Sequence, residues 1–232
     1  MKTVMLLCGL LCDEVVWQAQ ADALRGDYDV RIVTFTEQDS LQAMAEHVLR
    51  QAPARFALAG HSMGGRVALE VLRRAAPRVE RLALLDTGFE PPTEGEAARR
   101  AVLVDQALDQ GIGAIAAAWG LPMLAPQRRG DAALVAAVTA MVGRMSGAIY
   151  QAQTCALLGR PDATSVLMRI TCPTLILCGM EDGWSPPERH RRMAGLAPRS
   201  VLRLVADCGH MSMMEQPAAV LDALHEWLAL PN

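Results

Sequence analysis

The sequence has almost no charge excess. Its 22 basic and 25 acidic side chains leave a formal net charge of −3, which makes no case for nucleic acid or an anionic membrane as partner. No run approaches the ~18 consecutive apolar residues of a membrane-spanning helix. The opening MKTVMLLCGLLCDE holds one lysine and a short apolar stretch. Asp13 and Glu14 end it too early for a secretory signal with a small-residue cleavage site. Six cysteines (Cys8, Cys12, Cys155, Cys172, Cys178 and Cys208) lack the C-x-x-C spacing of metal sites. In a chain of 232 residues without a signal they are expected to be reduced, buried small hydrophobes. There is no internal repeat and no low-complexity tract. The expectation is a cytoplasmic protein, monomer or homodimer, that acts on a small molecule through a localised site.

What is present is alternation. Apolar or β-branched runs of strand length stand at Thr3 to Cys8, Tyr28 to Phe35, Phe56 to Ala59, Leu82 to Leu85, Thr174 to Cys178 and Val201 to Val205. Helix-period segments lie between them, around Val15 to Leu24, Ser40 to Gln51, Met63 to Arg74 and Pro187 to Leu196, with Pro217 to Leu228 closing the chain. Near-continuous apolar strands separated by helices predict an α/β protein with three layers, helices covering both faces of a mostly parallel sheet of about six strands. One interval breaks the rhythm. Residues 89–171 hold no convincing strand, only alanine-rich helical segments divided by Gly and Pro: Glu94 to Ala107, Ile112 to Trp119, Asp131 to Met145 and Ile149 to Leu158. The predicted organisation is a core of residues 1–88 and 172–232 with a helical cap or lid, 89–171, inserted over one end of the sheet.

The stretch ALAGHSMGGRVAL, residues 57–69, places Ser62 between a strand and a helix with Gly60, Gly64 and Gly65 around it. G-x-S-x-G in that context is the nucleophile-elbow pattern: a hydroxyl at the crest of a sharp turn, kept clear of bulk. A phosphate-binding loop is excluded because the turn lacks G-K-[ST]. A nucleophilic serine needs a base, and the base needs a carboxylate to orient it. His210, in DCGHMSMMEQP between the last strand and the last helix, is the predicted base. His61 should point away from the hydroxyl, while His47, His190 and His225 sit in helices. Asp182, just past the strand ending at Cys178, is the predicted acid, with Asp86 and Glu181 as alternatives.

Together GHSMGG, GMEDGWSP and CGHMSMMEQP resemble the α/β-hydrolase fold family, in an order and spacing that span the chain. The resemblance implies a Ser62–His210–Asp182 triad. It also implies an oxyanion hole from the amides of Met63 and Leu10, with Leu11 as the other candidate donor. Two departures stand out: Cys8-Gly9 replaces the His-Gly common in that loop, and the hairpin that often opens the fold is missing. The implied activity is that of a serine hydrolase, a carboxylesterase acting on small to medium apolar or aromatic esters without metal or organic cofactor. Leu11, Arg66, Trp119, Trp184 and Met211 are the candidate substrate-binding residues, in an apolar lining expected from Met63, Leu121, Met123, Leu124, Met180 and Met213. Arg66 resembles an arginine of a menaquinone-pathway synthase of this fold. It opens a second reading, a lyase or C–C bond hydrolase whose substrate carboxylate meets Arg66. A non-catalytic ligand-binding protein is the third.

Overall fold

In the computed structural model, which describes residues 1–231, six strands form one sheet. They are β1 (Lys2–Leu7), β2 (Tyr28–Val33), β3 (Phe56–His61), β4 (Val79–Leu85), β5 (Thr174–Gly179) and β6 (Ser200–Val205). Among the described residues every pairing is parallel, in the order β2-β1-β3-β4-β5-β6. Central β3 and β5 are buried at all six positions, as strands covered on both faces must be. The edge strands β2 and β6 are only partly buried, and each exposes one arginine, Arg31 or Arg203. A charged side chain midway along an edge also discourages pairing with a foreign strand.

Helices α1 (Gln18–Leu24), α2 (Leu41–Gln51) and α3 (Met63–Ala75) make the first crossovers. Between β4 and β5 lie α4 (Glu96–Gln110), α5 (Ala116–Gly120), α6 (Ala132–Gly143), α7 (Gly147–Leu158) and the one-turn α8 (Thr164–Leu167). Then α9 (Pro187–Leu196) joins β5 to β6, and α10 (Ser212–Glu215) and α11 (Pro217–Ala229) follow. Ser40, Asp131 and Ser146 cap α2, α6 and α7 by accepting the N–H three residues on, which fixes where those helices start. α1 packs with α11 on one face, whereas α2 packs with α3, and α9 covers β5 and β6, on the other. This is the division that right-handed crossovers require. α6 and α7 are apolar but meet at 90°, and among the described residues no single helix is long and apolar enough to cross a membrane.

The six cysteines are free. Four are buried, but Cys155 is exposed on α7 and Cys172 is half-buried, so the expectation of six buried hydrophobes fails at two. Position 155 falls outside the buried positions of α7, which are Tyr150, Gln153, Thr154, Ala156 and Leu157.

Strand order decides where the chemistry sits. The chain leaves β1 toward β2 in one direction and leaves β3 toward β4 in the other. A crevice therefore opens between the carboxyl ends of β1 and β3, the topological switch point where open α/β sheets bind ligands. The loop Cys8–Cys12 lies on one side of that crevice and Ser62 on the other.

Candidate active site

β3 ends at His61 and α3 begins at Met63, so Ser62 alone makes the turn. It does so at φ 52°, ψ −114°, a backbone conformation costing about 1–3 kcal/mol for a residue with a side chain. The surroundings hold it there. Ser62 N–H donates to the Leu85 carbonyl (2.9 Å), and the Thr87 hydroxyl donates to the Ser62 carbonyl (2.6 Å). The glycines permit the packing: a Cβ on Gly60 would strike the Gly64 carbonyl, and one on Gly64 would strike the carbonyls of Leu7 and Cys8. Only bare backbone lets β1, β3 and the first turn of α3 approach this closely. α3 then directs its amino-terminal N–H groups, and the positive end of its dipole, toward the crevice.

The three residues expected to act together are brought together. Ser62 Oγ lies 2.8 Å from His210 Nε2, and His210 Nδ1 lies 2.8 Å from Asp182 Oδ2. The other carboxylate oxygen, Asp182 Oδ1, accepts the N–H groups of Trp184 and Ser185, both at 2.8 Å. Since Asp182 can only accept, His210 carries its proton on Nδ1 and offers a lone pair on Nε2 to the serine hydroxyl. Burial opposes charging of both groups. Their mutual attraction prevails: it holds the Asp182 carboxyl below the ordinary carboxylate range and lifts His210 above the ordinary imidazole value of 6.5.

The alternatives for the acid are placed elsewhere. Glu181 is exposed and accepts the Cys208 N–H. Asp86 is wholly buried, accepting the Gly179 N–H (2.9 Å) and a hydrogen bond from Ser212 Oγ. Burial and then the Asp182 charge drive Asp86 well above the carboxylate range, so it supplies a neutral wall behind the acid. Asp86, Asp182 and the Cys178 thiol lie within 4.8 Å of one another, the makings of a small metal site. Each is already engaged, Cys178 by donating to the carbonyls of Gly179 and Ser185.

His61 was expected to point away from the hydroxyl; its ring instead stands beside that of His210, with centroids 5.3 Å apart. It lines the same cavity, and its Nε2–H donates to the backbone carbonyl of His210 (2.8 Å), so it steadies the residue whose ring faces Ser62. Burial and then the neighbouring His210 push its imidazole down to about 3, keeping it neutral. Glu215 does similar work from α10. Its carboxylate accepts the N–H groups of Gly209 (2.9 Å) and Met211 (3.1 Å) on either side of His210, and that of Ala125 (2.8 Å). The His210 N–H itself donates to the Met123 carbonyl (2.7 Å). The histidine loop is thus stitched to the helical segment between β4 and β5.

That segment also reaches the opposite loop. Gln153 on α7 accepts the Leu11 N–H (2.8 Å) and donates to the Phe35 carbonyl (2.6 Å). Leu11, fully buried at φ 55°, is outside the cavity lining, which corrects its assignment to substrate and its alternative role as oxyanion donor. The N–H groups of Leu10 and Met63, by contrast, donate to no protein group among the described residues. Met211 is a second correction: with Met213 and Leu124 it is buried in the core, because Glu215 draws its backbone inward. Met180 is exposed and also outside the cavity.

The cavity, about 780 Å³, is lined by Ser62 and His210 together with Leu10, Met63, Trp119, Met123 and Trp184. Its lining is less apolar than the sequence suggested. Arg66 faces it, and so do Arg99, Arg100, Arg160, Arg189 and Arg192. Sequence reasoning missed these five because arginines on amphipathic helices, like Arg99, Arg100, Arg189 and Arg192, or in loops, like Arg160, ordinarily face water. Gln153 had left a fainter signal, as a polar residue in line with the buried Tyr150, Ala156 and Leu157 of α7.

The comparisons with known proteins bear on the family and the fold. The model of the Alpha/beta hydrolase family matches residues 15–223. A thermophilic esterase from Thermogutta terrifontis, solved with malate bound, superposes with a TM-score of 0.87 at 28% identity, covering 98% of this chain and 89% of that one. The enol-lactonase from Burkholderia xenovorans LB400 shares the fold, with a TM-score of 0.87 at 21% identity over 99% and 92% of the two chains. Protein ABHD8 of Mus musculus is 39% identical over 59 residues, which are 25% of this chain and 13% of that protein. The chain thus spans only a small part of the length of that curated relative. With a sharp strand-to-helix turn at the sheet's switch point and a family model matched over most of its length, the chain belongs to the alpha/beta hydrolase family.

Proposed function

We propose that the protein is a serine hydrolase of carboxylic esters that works through an acyl-enzyme on Ser62. The observation that carries the reading is the unbroken hydrogen-bonded line from Ser62 Oγ through His210 to Asp182, opening into a cavity. In the first step Ser62 Oγ bonds to the acyl carbon while its proton passes to His210 Nε2. Asp182 stabilises the resulting imidazolium. The carbonyl electron pair moves onto oxygen, which the N–H groups of Leu10 and Met63 receive, each contributing about 3 kcal/mol to lowering the barrier. Collapse expels the alcohol with the proton from His210. Water then attacks the acyl-enzyme with His210 again as base, which restores Ser62. In this reading residues 89–171 form a cap whose Trp119 and Met123 shape the acyl end of the site.

A fluorophosphonate is expected to add its mass to Ser62, and short p-nitrophenyl esters to be turned over with a burst of p-nitrophenol. Labelling without turnover would favour the lyase, C–C hydrolase or ligand-binding readings. Failure to label would remove the nucleophile.

The pH dependence has a definite sign. His210 must be neutral to take the proton, and its titration is raised in the folded protein. kcat/KM should therefore rise with pH along a single acid limb whose midpoint lies above 6.5. A midpoint at or below 6.5 would contradict the pairing with Asp182.

Gln153 offers a test of the oxyanion loop. Gln153→Leu leaves the Leu11 N–H and the Phe35 carbonyl buried and unpaired, at about 1–3 kcal/mol each. We expect a lower Tm together with a 10- to 100-fold fall in kcat at nearly constant KM, because the Leu10 amide loses its fixed position. Gln153→Glu should restore the Leu11 bond alone and recover part of kcat. A Tm loss with kcat unchanged would make Gln153 merely structural.

A further inference from the structure

One polar group in the cavity wall has no counterpart in the protein. Tyr150 begins the buried face of α7, one turn before Gln153, and is 2% exposed. Its backbone is fixed from both sides. Ser146 caps the helix, and a Cβ on Gly147 would strike the Ala107 carbonyl, so α7 starts in backbone contact with α4. The hydrogen bonds of that buried face belong to Gln153, whereas the Tyr150 hydroxyl makes none among the described residues. Nor is the hydroxyl sealed in. The atoms that are both closed to water and unpartnered include Trp119 Nε1 but not Tyr150 Oη, so the phenol oxygen meets open space. The space that Tyr150 borders is the cavity that Ser62 also lines. Once a substrate has displaced solvent from it, a hydroxyl left without a partner costs about 1–3 kcal/mol. The substrate itself must then supply that partner.

The surroundings say what kind of partner. Burial raises the titration of the phenol above its ordinary value of 10.0 and the nearby Arg100 offsets part of the rise, so the oxygen keeps its proton and can donate. The cations of this wall are already engaged: Arg100 (2.8 Å) and Arg160 (2.8 and 2.6 Å) both bond to Glu96. What the phenol lacks is an acceptor, and that acceptor need carry no charge. Leu103 of α4 and Leu157 of α7 add apolar surface to the same lining. A ligand hydroxyl would bring a second donor hydrogen into apolar surroundings, whereas an oxo group only accepts. We propose that the acyl arm of the ester carries a neutral oxo group, which accepts a hydrogen bond from the Tyr150 hydroxyl. The inference deepens the esterase reading and rests on it for the reaction, not for the binding of the oxo group. Selection then lies with the helices between β4 and β5, and the chemistry with the sheet.

The test uses 4-nitrophenyl levulinate and its longer homologues with the ketone next to the terminal methyl, each against the unsubstituted ester of the same length. The ratio of kcat/KM, oxo over unsubstituted, should peak at the length whose ketone reaches Tyr150. Tyr150→Phe, which deletes one oxygen that touches no protein partner, should lower that peak about 10- to 100-fold. Tyr28→Phe alters the one other tyrosine, on β2 and outside the cavity lining, and should leave the ratio as it is. The methyl ester of the favoured oxo acid should also raise the Tm of Ser62→Ala by more than the unsubstituted methyl ester does, and Tyr150→Phe should abolish the difference. A ratio that is flat with length, or a peak that survives in Tyr150→Phe, overturns the proposal while Ser62 keeps its role. Turnover of neither ester with the thermal difference retained overturns the hydrolase reading and leaves the oxo site standing. If Tyr150→Phe does not fold, the length dependence of the wild-type ratio decides.

Discussion

Ser62→Ala is expected to lower ester turnover by at least ~10⁴-fold, while the protein folds as before. Alanine adds no atom at φ 52°, so the strained turn meets no new clash, and its anchors, Leu85 and Thr87, act on the backbone of residue 62. What disappears is the hydroxyl facing His210 Nε2. The cavity and the two free amides remain, so a residual rate of about 10³ over water is consistent with the mechanism. The measurement is single-turnover acylation of a p-nitrophenyl ester alongside a thermal melt. A variant within tenfold of wild type, with the same Tm, would place the nucleophile elsewhere.

Asp182→Asn should lower kcat by about 10⁴-fold, the size expected when the imidazole is left in the wrong tautomer. The surroundings of residue 182 make the prediction sharp. Two backbone N–H groups, from Trp184 and Ser185, converge on Oδ1. An asparagine there must keep its oxygen toward those donors, which turns its amide nitrogen toward His210. A donor facing Nδ1 forces the ring proton onto Nε2, where it can no longer take the proton of Ser62. Asp86→Asn is the contrasting variant. Asp86 bonds to Gly179 and Ser212 and not to His210, so kcat should fall by less than about tenfold. Equal losses in the two variants would mean that both acids serve the histidine.

Most of the frame was legible because it rests on local patterns. Strand-length apolar runs announced the buried strands, and three glycines around one serine announced the turn. His210 and Asp182 were readable because each follows a strand at the sheet's active end. β3 runs two residues past the predicted Ala59, through Gly60 and His61, since a glycine at a strand end looks like a terminator until the helix pressed against it is seen. The rest depended on partners distant in sequence. Gln153 meets Leu11 across 142 positions, and His61 meets the His210 carbonyl across 149. Neither helical spacing nor motif encodes such a contact. The arginine-rich wall was hidden for a related reason. Arg66, Arg160 and Arg189 sit on separate parts of the chain and become neighbours only when α3, the loop after α7 and α9 converge on Glu90.

The bonds from Gln153 to Leu11 and from Met123 and Ala125 to the histidine loop also bear on how such proteins can be recombined. A graft that exchanged the helices between β4 and β5 for those of a relative would remove fastenings on the Cys8–Cys12 loop and on the loop that carries His210 at once. A chimera that keeps positions 123, 125 and 153 should inherit the donor's selectivity and the host's rate. One that discards them should fold around an idle serine.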